Sequence, residues 1–431
     1  MAPEADTIFA LSSGPPPCAV AVVRISGPGA GPALARLTGR PPPPPRRAML
    51  RSIADPKTQQ LLDTALLLWF PGPRSATGED MAEIHAHGGP AVVAGILSAL
   101  AGLPGVRPAE AGEFARRAFR NGRLDLTQAE ALADLVAAET EAQRDQALAG
   151  ASGRLRHRVE RWRAALLALM AEVEADLDFA DEADVAAPRA RAAIGSLAAE
   201  LEAALASAPL GERVRSGLTI AATGPPNAGK SSLVNALARR EVAIVTPHPG
   251  TTRDVIEVRL DLGGVPATLL DTAGLRDSSD PVEAEGIARA RERALAADLL
   301  LAFGPATPGP GQDMLRIANR VDETGEAPGV RGGTAFVSAL TGAGLADLEA
   351  WLVEWARARV PRGEPALVTH ARQAHWLARA LAALREAQGQ SEAVLEAESL
   401  RAAAHALGRI TGAIDPEEVL GAIFARFCIG K

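Results

Sequence analysis

The chain has 431 residues, 47% of them hydrophobic and 23% charged, which describes two or three folded domains and excludes a disordered chain. With cysteine only at Cys18 and Cys428, no disulfide framework or four-cysteine zinc site can form; with no eighteen-residue apolar run and no secretory leader, the chain reads as cytoplasmic, without a membrane segment. The net charge of -7 argues against bulk electrostatic attachment to nucleic acid and leaves room for a local basic site.

Residues 1–120 alternate strand-like runs, "CAVAVVRIS" (18–26) and "TALLLWF" (64–70), with Gly/Pro-rich joints and one predicted helix at 91–100, the pattern of an α+β domain. The proline run at 40–47 reads as a stiff spacer. His85 and His87 share a strand face, but with no third ligand nearby they read as structural rather than zinc-binding. From 121 to 215 the period is helical. It opens on "TQAE" (127–130), read as a capping box between Thr127 and Glu130. Leu148, Leu155, Val159, Trp162, Leu166, Leu169, Val173 and Leu177 then predict a long helix with one buried face.

Strand, loop and helix alternate over 216–360, the mark of a doubly wound α/β unit. Helical patterns return over 361–431, at 372–387, at 391–407 and after "DPEE" (415–418). The simplest architecture inserts the α/β unit into a helical domain whose two halves pack together.

Of the 45 basic residues only Lys57, Lys230 and Lys431 are lysine, so lysine marks places where a compact ammonium is needed. Lys230 lies in "GPPNAGKSS" (224–232), between the strand "LTIAAT" and a helix, with the spacing of a phosphate-binding loop. There Gly224 and Gly229 let backbone N–H groups wrap phosphate oxygens, Lys230 reaches the outer phosphates and Ser231 holds Mg²⁺; Asn227, Ala228 and Ser232 complete the loop. "DTAG" places Asp271 in the metal's second shell, followed by Thr272, Ala273 and Gly274, the last offering an N–H to a γ-phosphate. "NRVD" supplies Asn319 and Asp322, whose carboxylate would accept from the guanine N1–H and amine. "SAL" adds Ser338 and Ala339 at the base, and Thr252 in "TPHPGTTRD" would close on Mg²⁺. The spacing says GTPase. Leu275 stands where Ras-like proteins carry a water-orienting glutamine, so another group must do that work.

Three further features bear on function. Arg320 replaces the lysine of N-K-x-D. Only ten residues separate the strands predicted at 298–303 and 314–319, so the usual crossover helix is expected to be missing or vestigial. The terminal "FCIGK" has a cysteine where a prenylation box would, but Gly430 is not aliphatic and Lys431 is an unusual last residue for that signal.

The sequence resembles the MnmE (TrmE) family of bacterial tRNA-modification GTPases along its whole length. The resemblance rests on "DTIFALSS", "VVRISG", "TGEDMAEIHAHGGP", "GEFARRAFRNGRLDLTQAEALADL", the phosphate loop, "GTTRD", "DTAGLR" and "FCIGK". It implies a homodimer whose GTPase domains meet during hydrolysis, with K⁺ held by Asn227, Thr246, His248 and Thr251 and with Glu283 as the catalytic acidic residue. It also implies an N-terminal domain binding a 5-formyl or 5,10-methylene tetrahydrofolate through Arg24, Glu83, Arg123 and Lys431, with Cys428 a further candidate. Arg123 stands where the family usually has lysine. With a flavoprotein partner, MnmG (GidA), the family adds a carboxymethylaminomethyl or aminomethyl group to C5 of the wobble uridine of certain tRNAs. Two competing readings are a K⁺-dependent GTPase switch in ribosome assembly and a folate enzyme whose GTPase has decayed.

Overall fold

The computed structural model describes residues 6–178, 187–240, 242–244, 257–271, 294–360, 363–390 and 392–414, together with Ile423, Phe427 and Gly430. The chain divides into two compact units: Met1–Ala133 with Arg156–Ala164 and Ala404–Lys431, and Asp134–Leu155 with Ala165–Ala403.

The first unit is built on six strands: β1 (Thr7–Leu11), β2 (Cys18–Ser26), β3 (Met49–Ala54), β4 (Leu61–Phe70), β5 (Met81–Gly88) and β6 (Val106–Pro108), in the order β3-β4-β5-β2-β1-β6. All neighbours are antiparallel except β1 and β6. Alternation on β5 sends Ala82, Ile84 and Ala86 into a core shared with Leu34 and Leu37 of the helix Ala30–Thr38 and with Ile96 and Leu100 of the helix Pro90–Ala101. Glu83, His85 and His87 are thereby turned to the opposite face.

The helix expected from "TQAE" begins two residues earlier than its sequence suggested. Leu126–Ala137 is capped by Asp125, whose Oδ1 accepts from the Gln128 N–H at 2.9 Å while Gln128 Oε1 accepts from the Asp125 N–H at 3.2 Å. Thr127 already has helical backbone and cannot cap; its hydroxyl donates to Asp125 Oδ1 at 2.7 Å. The long stripe is likewise divided. Leu155, Val159, Trp162, Leu166, Leu169 and Val173 are buried along Arg154–Asp178, but Leu148 is 48% exposed on the separate helix Glu141–Ala151. Gly153, at φ +84°, sits between the two helices.

The second unit contains seven strands: β7 (Leu218–Thr223), β8 (Glu257–Leu262), β9 (Val265–Asp271), β10 (Leu299–Ala302), β11 (Asp313–Asn319), β12 (Gly329–Arg331) and β13 (Thr334–Val337). Their order is β12-β13-β11-β10-β7-β9-β8, parallel except for β8 and β12 at the edges. Ile220, Leu299, Leu301 and Leu315 pack with Leu233 and Leu237 of the helix Lys230–Leu237 and with Leu348 and Leu352 of Leu345–Arg359. The parallel neighbours β10 and β11 are joined by residues 303–312 with no helix between them, as the short spacing predicts.

Helices from either side of this sheet in sequence, Ala187–Ala206 and Ala371–Gly389, pack against each other. The stretch Arg191–Ser216 is long and apolar enough by composition to cross a membrane, with a mean hydropathy of 1.2. It buries Ile194, Leu197 and Leu201 within the protein. "DPEE" lies outside the described residues.

Candidate functional site

The central strand β7 delivers the chain to the loop 224–229. Gly224 has φ +144°, and a Cβ there would stand 2.8 Å from the Phe303 Cβ, so the backbone passes flush against the end of β10. Gly229, at φ +92°, caps Lys230–Leu237 without any side-chain bond to the first turn. The opening amides, with Ser231 and Ser232 on them, thus keep their donors for an anion, and the helix dipole favours one there. Lys230 is buried, and its Nζ donates to the Gly224 and Pro225 carbonyls at 2.8 Å each, which leaves one N–H for a phosphate oxygen. Asp271, 1% exposed, pairs with Ala222 in the β7–β9 register and so closes β9 beside the loop.

The base-recognition segment meets this loop directly. A Cβ on Gly229 would lie 2.1 Å from Asn319 Nδ2, so only glycine lets the Asn319 amide sit there. Asn319 Oδ1 accepts from the Ala339 N–H at 3.1 Å, tying the end of β11 to the loop after β13. Ser338 is buried and its Oγ accepts from the Thr341 N–H at 3.2 Å. Arg320, at φ +67°, donates from Nη2 to the Asn227 carbonyl at 3.2 Å; Asp322 lies exposed on the short helix Val321–Thr324 that follows. The structure therefore brings together Asn227, Ala228, Gly229, Lys230, Ser231, Ser232, Asp271, Asn319, Asp322, Ser338 and Ala339. The helix-free crossover does not take the base segment apart. Thr246, His248, Thr251, Thr252, Thr272, Ala273, Gly274, Leu275 and Glu283 lie outside the described residues.

In the first unit, Arg24 on β2 faces Glu83 on β5 and donates to its Oε1 from Nε at 3.1 Å and Nη2 at 2.9 Å. The guanidinium also lies 5.8 Å from the Phe114 ring centroid. Glu83 Oε2 meets His85 Nε2 at 3.2 Å. Burial pushes the Glu83 carboxyl up, but the hydrogen bonds from His85 and Arg24 outweigh it and hold the group below the ordinary carboxylate value. His87 turns instead to Asp63, Nδ1 to Oδ1 at 2.8 Å, so the two histidines serve different carboxylates. Arg123 lies beside Gly78 of the "TGED" loop, where φ is +81° and a Cβ would clash with Asn121.

The C-terminal segment reaches this unit's sheet. Ser12 Oγ donates to the Gly430 carbonyl at 2.8 Å, and Gly430, at φ +107°, lies so close to the Leu11 carbonyl that a Cβ would be 2.2 Å from it. Phe427 is buried with Ala115, Leu126, Ala129 and Ile423. Cys428 and Lys431 lie outside the described residues.

Sequence reading missed an ionic cluster in the same unit. Arg117, 1% exposed, donates to Asp6 at 2.9 Å, Glu113 at 3.0 Å and Glu79 at 3.2 Å, and Arg107 donates to Glu113 Oε2 at 2.8 Å. The i,i+4 spacing of Glu113 and Arg117 was the available signal.

Two family descriptions match the chain: "GTP-binding protein TrmE N-terminus" over residues 7–123 and "MnmE helical domain" over 126–428. The protein named tRNA modification GTPase MnmE from Rhodopseudomonas palustris (strain ATCC BAA-98 / CGA009) is 51% identical over the whole of both chains. Its namesake from Azorhizobium caulinodans is 52% identical, again over both full lengths. Among solved structures, the G domain of the T. maritima FeoB iron transporter is 27% identical, covering 32% of this chain and 98% of its own, with a TM-score of 0.22.

Proposed function

The chain belongs to the MnmE (TrmE) family of tRNA modification GTPases, and from that premise we propose that it is a K⁺- and Mg²⁺-dependent GTPase that works with a flavoprotein partner of the MnmG (GidA) kind. Together they elaborate C5 of the wobble uridine of certain tRNAs, with a reduced folate supplying one carbon. The fold is multidomain α/β: an N-terminal α+β domain, a helical domain and a P-loop GTPase domain. Its proposed limits are 1–120, 121–215 with 361–431, and 216–360. A homodimer acting in the cytoplasm completes the proposal.

The observation that carries the GTPase reading is the seam at Gly229. Phosphate donors on one side and Asn319 on the other are separated by the space of one missing methyl, so a nucleotide can be gripped at both ends at once. Asp322 would accept from guanine, and Lys230 with the opening amides of its helix would hold the phosphates. Ser231 and Thr252 would hold Mg²⁺, which when bound screens the phosphate charge. The Asn227 side chain, an oxygen donor on a left-handed loop residue at φ +61°, suits a monovalent cation beside the phosphates, with Thr246, His248 and Thr251 as the other ligands. Glu283 would position water through intermediaries.

In the N-terminal domain, Glu83 is an ionised acceptor suited to neighbouring pterin N–H donors, and Arg24, Arg123 and Lys431 would meet folate carboxylates. Support for including Lys431 comes from its neighbour Gly430, held at Leu11, the last residue of the strand next to β2, and at Ser12 just beyond it. Cys428 is proposed only as a neighbour of that site.

The test is GTP turnover by the full chain in K⁺ and in Na⁺, with reduced-folate binding measured in parallel. Turnover stimulated by K⁺ is expected. Equal rates in the two salts overturn the cation assignment, and no turnover in either overturns the GTPase.

A further inference from the structure

Four non-glycine residues among those described have left-handed backbone: Arg46, Gln59, Asn227 and Arg320. Two of the four touch each other. Asn227 stands in the phosphate loop at φ +61° and Arg320 follows the base-recognition strand at φ +67°, 93 positions later, with Arg320 Nη2 donating to the Asn227 carbonyl at 3.2 Å. Asparagine tolerates this region, but an arginine held there is strained and persists only where its surroundings enforce it. The hydrogen bond ties the Arg320 side chain to the Asn227 backbone.

The Arg320 side chain is otherwise lightly held. It is 57% exposed, and among the described residues it also approaches Glu323 on the adjacent turn at 3.8 Å. The Asn227 side-chain amide makes no hydrogen bond among the described residues, so its direction depends on the backbone that carries it. That backbone is fixed on one side by Gly229 against Asn319 and on the other by the Arg320 guanidinium. A planar fork on a long stem can make this contact while its remaining donors stay free for the base side of the site.

We propose that Arg320 is a positioning residue for the monovalent cation: by holding the Asn227 carbonyl it sets the direction of the Asn227 side chain, so that the base segment and the cation ligand move as one piece. This rests on the reading of Asn227 as a cation ligand. It adds that K⁺ affinity is tuned from the base-recognition segment, and that the arginine standing in the lysine position performs the coupling. Loss of Arg320 should weaken K⁺ more than it weakens nucleotide.

The experiment titrates K⁺ into the full-length protein bound to a fluorescent non-hydrolysable GTP analogue. Sodium replaces potassium at constant ionic strength, and analogue affinity is read at each point. Arg320→Ala is expected to raise the half-saturating K⁺ concentration about tenfold, the low end of what a hydrogen bond from a charged donor is worth, while analogue affinity in saturating K⁺ stays within about threefold. Arg320→Lys, which can still reach the carbonyl, should restore most of the K⁺ response, and Asn227→Ala should abolish it. If the wild-type protein responds to K⁺ but Arg320→Ala has an unchanged half-saturation point, the coupling is overturned and the cation site stands. Equal weakening of the analogue with and without K⁺ also overturns it, because a purely structural role would act on both. A wild-type protein indifferent to K⁺ overturns the underlying cation reading itself.

Discussion

Arg24 and Glu83 stand opposite each other on β2 and β5, and the guanidinium donates twice to one carboxylate oxygen while His85 meets the other. The carboxylate is thus kept ionised and aimed, with an acceptor position left on Oε2 for a ligand N–H. Glu83→Gln is expected to weaken 5-formyltetrahydrofolate binding by at least about tenfold, the scale of one charge-assisted hydrogen bond. Titration calorimetry on the full chain reads this, and unchanged affinity would remove Glu83 from the folate site.

The cluster around Arg117 gives a prediction about pH. Burial raises the Glu113 carboxyl, but the Arg107, Glu110 and Arg117 hydrogen bonds outweigh it and bring the group down to about 2. A carboxyl whose folded value is depressed contributes stability that is complete above its unfolded value and is lost as pH falls toward the folded one. Acid unfolding should therefore steepen between the ordinary carboxylate range and pH about 2. Glu113→Gln should remove on the order of 3 kcal/mol at neutral pH and flatten that part of the curve. Urea melts at neutral and acid pH measure it; equal acid sensitivity of wild type and variant would contradict it.

Gly229→Ala tests the seam between the phosphate loop and the base segment. The added methyl meets Asn319 Nδ2 and must also hold φ +92°. Nucleotide affinity should fall by at least about tenfold, corresponding to strain of one to three kcal/mol, with the helical circular dichroism of the protein unchanged. A fluorescent GDP titration reads the affinity, and wild-type binding would show that the seam does not set it.

Much of this was legible beforehand because the signals were local. The apolar runs at 18–26 and 218–223 became β2 and β7 with the same limits, since strand alternation and flanking turn residues both sit within a few positions. The phosphate loop carried its own glycines, and the short spacing between β10 and β11 foretold the helix-free crossover. Capping was read two residues late because "TQAE" and Asp125–Gln128 satisfy the same rule, and only the actual start of the helix separates them. Leu148 was assigned to the wrong helix because periodicity continues across Gly153. What could not be seen was anything that depends on distant parts of the chain meeting. The Arg117 cluster joins residues up to 111 positions apart, and Arg320 reaches a loop 93 positions earlier.

Gly430→Ala should release the C-terminal segment. Its φ of +107° and the Leu11 carbonyl leave no room for a methyl, and the Ser12 bond cannot compensate. Carboxypeptidase should trim the variant faster than wild type, and reduced-folate affinity should fall in parallel. Faster trimming with full folate affinity would separate the docked segment from the folate site.

The central claim is that this GTPase acts in modifying the wobble uridine of tRNA. Its most direct measurement is a mass-spectrometric nucleoside profile of tRNA from cells lacking the protein, complemented with wild type or with Lys230→Ala. The account predicts that the C5-aminomethyl-type uridines disappear, return with wild type and stay absent with the variant. Unchanged wobble uridines in the deleted cells would contradict it.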